Sequence, residues 1–133
     1  MGLGQDSHKI KLKVKSLGLK IEKPLVLGGV LVDKDFEVVE VNSDGDAILH
    51  AICNALSSAV GGRSLGFYDP HLFGKGITDS KEYVKFFQKK VERKGLAVYN
   101  VSIAVEAKVP KLENFAPKMK KIIAQLLNIS QDR

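Results

Sequence analysis

The stretch Asn42-Ser43-Asp44-Gly45-Asp46-Ala47-Ile48-Leu49-His50-Ala51 decides how this chain reads. It opens on residues that favour turns and helix starts, then passes into apolar positions at helical spacing: Ile48, Ile52, Ala55, Leu56 and Ala59. The pattern predicts a helix over 43–60, with Ser43 as N-cap and Asp46 completing a capping box. Asp44 and Asp46 sit where the positive end of the helix dipole favours acids. His50 falls in the second turn, four residues from both Asp46 and Asn54, on the polar face and off the apolar stripe.

Towards the N-terminus, residues 1–5, the alternating 10–14, residues 25–32 around Gly28-Gly29, and 38–41 read as strands. Residues two apart on a strand share a face, so Asp6 and His8 point the same way. If that strand adjoins the helix of His50, Asp6, His8 and His50 form a set of three ligands. Three protein ligands with a fourth position open is the pattern of a catalytic zinc. The plainer readings stay open here: surface residues at a strand end, and a solvated histidine on a polar helix face. His71 reads as an exposed loop histidine.

Towards the C-terminus, residues 61–79 read as a loop long enough to carry function, punctuated by Gly61-Gly62, Asp69-Pro70 and Gly74-Lys75-Gly76. A helix over 80–94 follows, with Tyr83, Val84, Phe87 and Val91 inward and Gly95 beyond its end. Residues 97–105 alternate as a strand with Val101, Ile103 and Val105 on one face. After Val109-Pro110-Lys111, a third helix spans 114–127, with Phe115, Met119, Ile122, Ile123 and Leu126 inward. Strands separated by helices imply an α/β (α+β) fold, a mixed sheet with helices packed on one face.

The chain has 133 residues, the size of a single domain with one core. Its mean hydropathy is −0.04, and no apolar run approaches the ~18 residues of a membrane span. The start lacks the basic and apolar regions of a secretory leader. Cys53 is the one cysteine, so no intrachain disulfide forms, and a core thiol in a cytoplasmic protein is expected (or one in the stroma of a plastid or organelle after processing). The net charge of +6 favours anionic partners without choosing among them. The Lys9-Lys11-Lys13-Lys15 alternation has no interleaved aromatic residues, so it reads as a solvated strand face and not a nucleic-acid groove.

These residues resemble the methylerythritol cyclodiphosphate synthase family across the whole chain. Gly2-x-Gly4-x-Asp6-x-His8 is similar to its G-x-G-x-D-x-H, and Gly28-Gly29-Val30 to its G-G-V. The run from Asn42 to Ala51 is similar to H-S-D-G-D-x-x-x-H-A. Lys75-Gly76 with Asp79-Ser80 is similar to K-G-x-D-S with one residue inserted, and Ala107–Leu112 to A-x-x-P-K-[ML].

The resemblance implies an enzyme that cyclises 4-diphosphocytidyl-2-C-methyl-D-erythritol 2-phosphate to the 2,4-cyclodiphosphate and releases CMP, in isoprenoid precursor synthesis. Asp6, His8 and His50 would hold Zn2+ or another divalent ion, and a second ion, Mg2+ or Mn2+, would arrive with the substrate. Asn42, in the place of a histidine, would steady the transferring phosphate. Ser43, Ser64, Leu65, Gly66 and Asp69 would meet the substrate. Ala107, Lys108, Val109, Pro110, Lys111 and Leu112 would hold the cytidine. The expected assembly is a homotrimer with interfacial sites, with no nucleic acid or membrane partner.

Ser64-Leu65-Gly66 departs from the family's D-I-G, and Phe67–His71 from its F-P-D-T-D. The expectation is one synthase-like domain over 1–133 in which the family's last strand, with T-T-x-E and G-R-G-E-G, is absent. A non-catalytic nucleotide- or isoprenoid-phosphate-binding or trimerisation module is the alternative from another class.

Overall fold

The computed structural model of the chain describes residues 1–12 and 23–133. In order these form β1 (Ile10–Leu12), β2 (Pro24–Leu27), β3 (Val30–Val38), α1 (Ala47–Ala59), α2 (Leu65–Gly74), α3 (Ser80–Arg93) and α4 (Ala116–Leu127). The α/β class matches the expectation. The described strands run β1-β3-β2, and both ladders are antiparallel. Residues 13–22, which include the end of the anticipated 10–14 strand and Lys13 and Lys15, lie outside the described residues.

The anticipated 25–32 strand is in fact a hairpin. Gly28 and Gly29 take φ +58° and +76°, the two positive values that a tight two-residue turn demands, so the chain reverses and Leu27 pairs with Val30. β3 then runs on to Val38, further than its apolar pattern suggested, with Ile10 opposite Val38 and Lys11 opposite Glu37. Among the described residues no ladder forms over 1–5 or 39–41.

α1 begins at Ala47, four residues later than the capping-box reading, and its N-cap is Asp46. The residues before it are held by their own side chains. Gly45 N–H donates to Ser43 Oγ at 3.2 Å and Asp46 N–H to Asp44 Oδ1 at 3.1 Å, the local bonds by which Ser and Asp compete with helix. Ile48, Leu49, Ile52, Cys53 and Leu56 are buried and join one core with Leu25, Leu27, Val32 and Val38 of the sheet. Each such side chain contributes roughly 1.5–3 kcal/mol when fully buried. Cys53 is fully covered, and burial pushes its thiol well above its ordinary value, as befits a core residue.

Residues 61–79 contain a helix where a loop was expected. Asp69-Pro70 and the flanking glycines read as breaks, yet α2 continues through Pro70 because tertiary contacts hold it. Leu65 and Leu72, two turns apart, are buried, and Tyr68 meets Phe87 edge-on at 5.3 Å. α3 follows the expected span, with Asp79 as N-cap and Gly95 at φ +70° just past its end. α4 starts at Ala116. It buries Met119, Ile123, Ala124 and Leu127, a stripe turned slightly from the predicted one, leaving Phe115, Ile122 and Leu126 half-buried.

The anticipated 97–105 strand has no ladder partner among the described residues. Val101, Ile103 and Val105 line one cavity of about 730 Å³ under α4, but so does Ser102 between them. A strand exists only where a neighbour takes its N–H and C=O groups.

The hairpin and α1 are joined through Asp46, which is fully buried. Gly28 N–H donates to its Oδ1 at 2.9 Å, Gly29 N–H to its Oδ2 at 2.7 Å, and Leu49 N–H to Oδ1 at 3.0 Å. Burial raises the Asp46 carboxyl above its usual value, and the three N–H groups oppose that shift. Asp46→Ala orphans all three donors and is expected to cost about 3 kcal/mol or more. A fall in the urea midpoint with an unchanged m-value is the measurement that checks this.

Candidate metal centre and the cleft beside it

Residues 1–8 lie against α1 and form no strand, and the reason is in their glycines. A Cβ on Gly2 would stand 2.0 Å from the Ala55 carbonyl oxygen, and one on Gly4 the same 2.0 Å from that of Ala51. Ala51, Ala55 and Ala59 recur every fourth residue, so glycine meets a stripe of small side chains down one face of α1. Asn54, on the same helix, donates from Nδ2 to the Gln5 carbonyl at 3.1 Å, which fixes the height of the segment. Its Oδ1 accepts from Leu65 N–H at 2.7 Å and so starts α2.

That close approach brings Asp6 and His8 to His50. Asp6 Oδ2 lies 2.8 Å from His8 Nε2 and 3.0 Å from His50 Nδ1, and the two nitrogens lie 3.0 Å apart. The imidazole planes cross at 81°, so the nitrogens converge without the rings stacking. Among the described residues these three form the group able to hold a metal ion. Ligands bonded at ~2.0–2.1 Å to a tetrahedral ion stand ~3.3 Å apart, only a few tenths of an ångström wider than seen here. One carboxylate oxygen and two imidazole nitrogens suit zinc and several other divalent ions.

His50 is only 6% exposed, so the solvated-face reading of this histidine is overturned. Its Nε2 lies 3.0 Å from Ser43 Oγ and 2.9 Å from Ser80 Oγ, and its ring is nearly parallel to that of Tyr83, 6.1 Å away. Asp6 and His8 sit at the open end, with side chains 24% and 18% exposed. Burial works against a charge on Asp6. Hydrogen bonds with His50 and His8 outweigh it and hold the carboxyl well below the usual carboxylate range. The site is thus closed behind His50 and open in front of Asp6.

The other expected site residues divide by what their side chains touch. Ser43 is buried, its hydroxyl turned to His50 and Gly45. Asn42 is exposed and donates from Nδ2 to Asp69 Oδ2 at 2.9 Å. Tyr83 Oη donates to the other Asp69 oxygen at 3.1 Å and lies 3.0 Å from the Ile77 carbonyl. Burial, with the Asp69 charge beside it, raises the Tyr83 hydroxyl above its ordinary value and keeps it a donor. Ser64 and Gly66 are exposed at the start of α2, whereas the Leu65 side chain is in the core, leaving only its main chain outward. His71 is exposed on α2, as expected of its side chain, though not of its backbone.

Ala107, Val109 and Pro110 line a cavity of about 280 Å³ that Asp6 and His8 also line. Lys108, Lys111 and Leu112 face the larger cavity under α4, which Ala107 and Pro110 share. The Val109–Pro110 peptide is cis. Reading the sequence did not reveal Gly2 and Gly4 as packing residues, nor Asn54, Ser80 and Tyr83 as supports. Their signals, the Ala51/Ala55/Ala59 stripe and the polar Asn54 beside it, were visible but needed the helix and the segment to be juxtaposed.

Comparison with known proteins agrees with this geometry. The model of the YgbB family matches residues 1–133. The 2-C-methyl-D-erythritol 2,4-cyclodiphosphate synthase of Chlamydia trachomatis serovar L2 is 40% identical over 136 residues, spanning 99% of this chain and 70% of that protein. The namesake enzyme of Chlamydia felis is 39% identical over 134 residues, spanning 98% and 70%. Among solved structures, the IspF–CDP complex of Plasmodium falciparum superposes with a TM-score of 0.79 at 33% identity, covering 98% of this chain and 74% of that one. A CDP-bound form of 2C-methyl-D-erythritol-2,4-cyclodiphosphate synthase gives 0.81 at 28%, covering 99% and 82%. The chain belongs to the YgbB family.

Two outcomes follow from the packing. Gly4→Ala forces the first eight residues off α1, so binding of a divalent ion should weaken by at least ~10-fold, as when ligand supports are lost; isothermal titration with zinc reads this directly. Asp69→Ala removes the bonds from Asn42 and Tyr83, so amide exchange across 65–74 should quicken while α1 and α3 keep their protection. An unchanged exchange pattern would mean that Leu65 and Leu72 alone hold α2.

Proposed function

We propose that this chain is a metal-dependent cyclodiphosphate synthase. It takes 4-diphosphocytidyl-2-C-methyl-D-erythritol 2-phosphate to the 2,4-cyclodiphosphate and releases CMP. The observation that carries the reading is the convergence of Asp6, His8 and His50, each at its family motif position, in a chain 40% identical along 99% of its length to a protein of that name. The CDP complex of the Plasmodium falciparum relative supports a cytidine diphosphate ligand.

Asp6 Oδ2, His8 Nε2 and His50 Nδ1 would hold the ion, zinc or another divalent metal, and the second, Mg2+ or Mn2+, would enter with the substrate. A bound divalent ion draws charge from phosphate oxygens and holds them in line for displacement. The chain's own residues supply position. An oxygen of the 2-phosphate bonds to the β-phosphorus, the bond from that phosphorus to the bridging oxygen breaks, and CMP leaves with the electron pair. Asn42 gives one N–H to Asp69, and its amide carries a second, which we assign to the transferring phosphate. Exposed Ser64 and Gly66 and the main chain of Leu65 flank the methylerythritol unit. The main chain of Ala107–Leu112 takes the cytidine. The acyclic substrate spans both regions because Asp6, His8 and the 107–110 turn share one cavity wall.

We further assign a homotrimer with the active sites between subunits. The 97–105 segment, which has no ladder partner among the described residues, and the apolar cavity it lines support a partner surface there.

Elemental analysis of the purified protein should find about one zinc per chain, as three protein ligands with an open position predict. Asp6→Ala and His50→Ala should each lose the metal, with CMP release from the diphosphocytidyl substrate falling by about 100-fold or more. Zinc-free wild type that still releases CMP at full rate would sink the metal-dependent reading.

A further inference from the structure

Metal binding through His50 Nδ1 requires the lone pair on that nitrogen, and so the ring proton on Nε2. Nothing in the triad itself secures this. Asp6 Oδ2 lies 3.0 Å from His50 Nδ1 and, as an acceptor, favours a proton there, the form that cannot bind metal. The opposing influence comes from behind the ring, where two hydroxyls meet Nε2. A serine hydroxyl can donate or accept, so alone it leaves the tautomer undecided.

Asp44 resolves the choice. Ser80 Oγ is hydrogen-bonded to Asp44 Oδ1, and a carboxylate only accepts, so the Ser80 proton points at Asp44. Ser80 then presents a lone pair to His50 Nε2, which must donate. The direction is fixed further by the other bonds to Asp44. Ser80 N–H donates to its Oδ2 at 3.0 Å and Asp46 N–H to its Oδ1 at 3.1 Å, so every partner of this carboxylate is a donor. Asp44 N–H in turn donates to the Thr78 carbonyl at 2.9 Å, strapping the residues before α1 to those before α3. Ser43 Oγ already accepts from Gly45 N–H and carries no comparable constraint.

We propose that Asp44, acting through Ser80, is a positioning residue that holds His50 in the Nε2–H form and turns its Nδ1 outward as a metal ligand. The inference rests on reading Asp6, His8 and His50 as ligands, and adds two residues that touch neither metal nor substrate.

Zinc affinity, measured by competition with a chelating dye, tests it without reference to turnover. Ser80→Ala removes the relay with little change of shape and should weaken zinc by about 10- to 100-fold. Ser80→Thr keeps the hydroxyl and should restore wild-type affinity. Asp44→Asn sets an amide N–H against a backbone donor in either orientation, Ser80 N–H or Asp46 N–H, and no longer fixes the Ser80 proton, so it should weaken zinc. Because Asp44 acts through Ser80, the double variant should bind no more weakly than Ser80→Ala alone.

In the zinc-loaded wild type, His50 Nε2–H should appear as a slowly exchanging low-field proton, and Ser80→Ala should abolish that protection. Circular dichroism checks that each variant is folded, and the Ser80 pair decides the matter if Asp44→Asn is not. Ser80→Ala binding zinc as tightly as wild type, or the two losses adding in full, would overturn the relay. A wild type that binds no zinc would instead overturn the metal reading on which the relay stands.

Discussion

One carboxylate does three jobs in this fold. Asp46 caps α1, fastens the Gly28-Gly29 hairpin turn to that cap, and sets the first turn on which His50 is carried. Each of its bonds is to a backbone N–H that would otherwise be buried without a partner, and such a donor costs about 1–3 kcal/mol. The hairpin supplies Leu25, Leu27, Val32 and Val38 to the core, and α1 packs its apolar stripe on them. A substitution at Asp46 therefore loosens sheet, helix and metal centre together. Burial raises this carboxyl above its usual value, and the three N–H dipoles that converge on it oppose that shift. The same arrangement explains why two glycines at positive φ precede β3: any side chain there would strain the turn that presents those N–H groups.

A second constraint acts from the opposite side of α1. The carboxylate and imidazole of the N-terminal segment must reach a histidine whose helix is already packed, and backbone–backbone approach is the only way to shorten that gap. Gly2 and Gly4 against Ala51, Ala55 and Ala59 supply it. The metal centre is thus assembled from two pieces, each fixed by small or buried groups and neither by flexible surface side chains. This is the condition for ligand atoms to stay within a few tenths of an ångström of a working geometry.

How much of this was legible in the sequence follows from the range of the interactions. α3 was read nearly to the residue because its apolar period and Gly95 are local signals. The start of α1 was placed four residues early because Ser43 and Asp44 look like caps but bond to their own turn. α2 was hidden by Asp69-Pro70 and its glycines, since what holds it (Asn54, Tyr83 and Asn42) comes from elsewhere in the chain. Residues 97–105 alternate as a strand should, yet pairing is a property of two segments and is not encoded in one. The three residues that could hold a metal ion were legible because their residue types and spacing matched a motif. The serines behind His50 were not, since Ser80 lies 30 positions from it in the chain.

The polarity of the centre has a consequence for how substrate enters. Behind His50 stand Ser43, Ser80 and the ring of Tyr83, all buried, so no ligand approaches from that side. Asp6 and His8 are the solvent-facing members, and the cavity in front of them is walled by residues 103–110. A ligand reaching these three residues would therefore come from the side of that wall. If the main chain of Ala107–Leu112 takes the cytidine, the diphosphate is led from the wall towards Asp6, His8 and His50. The buried side fixes the ligand atoms to within tenths of an ångström, and the exposed side is where a nucleotide would enter and CMP would leave.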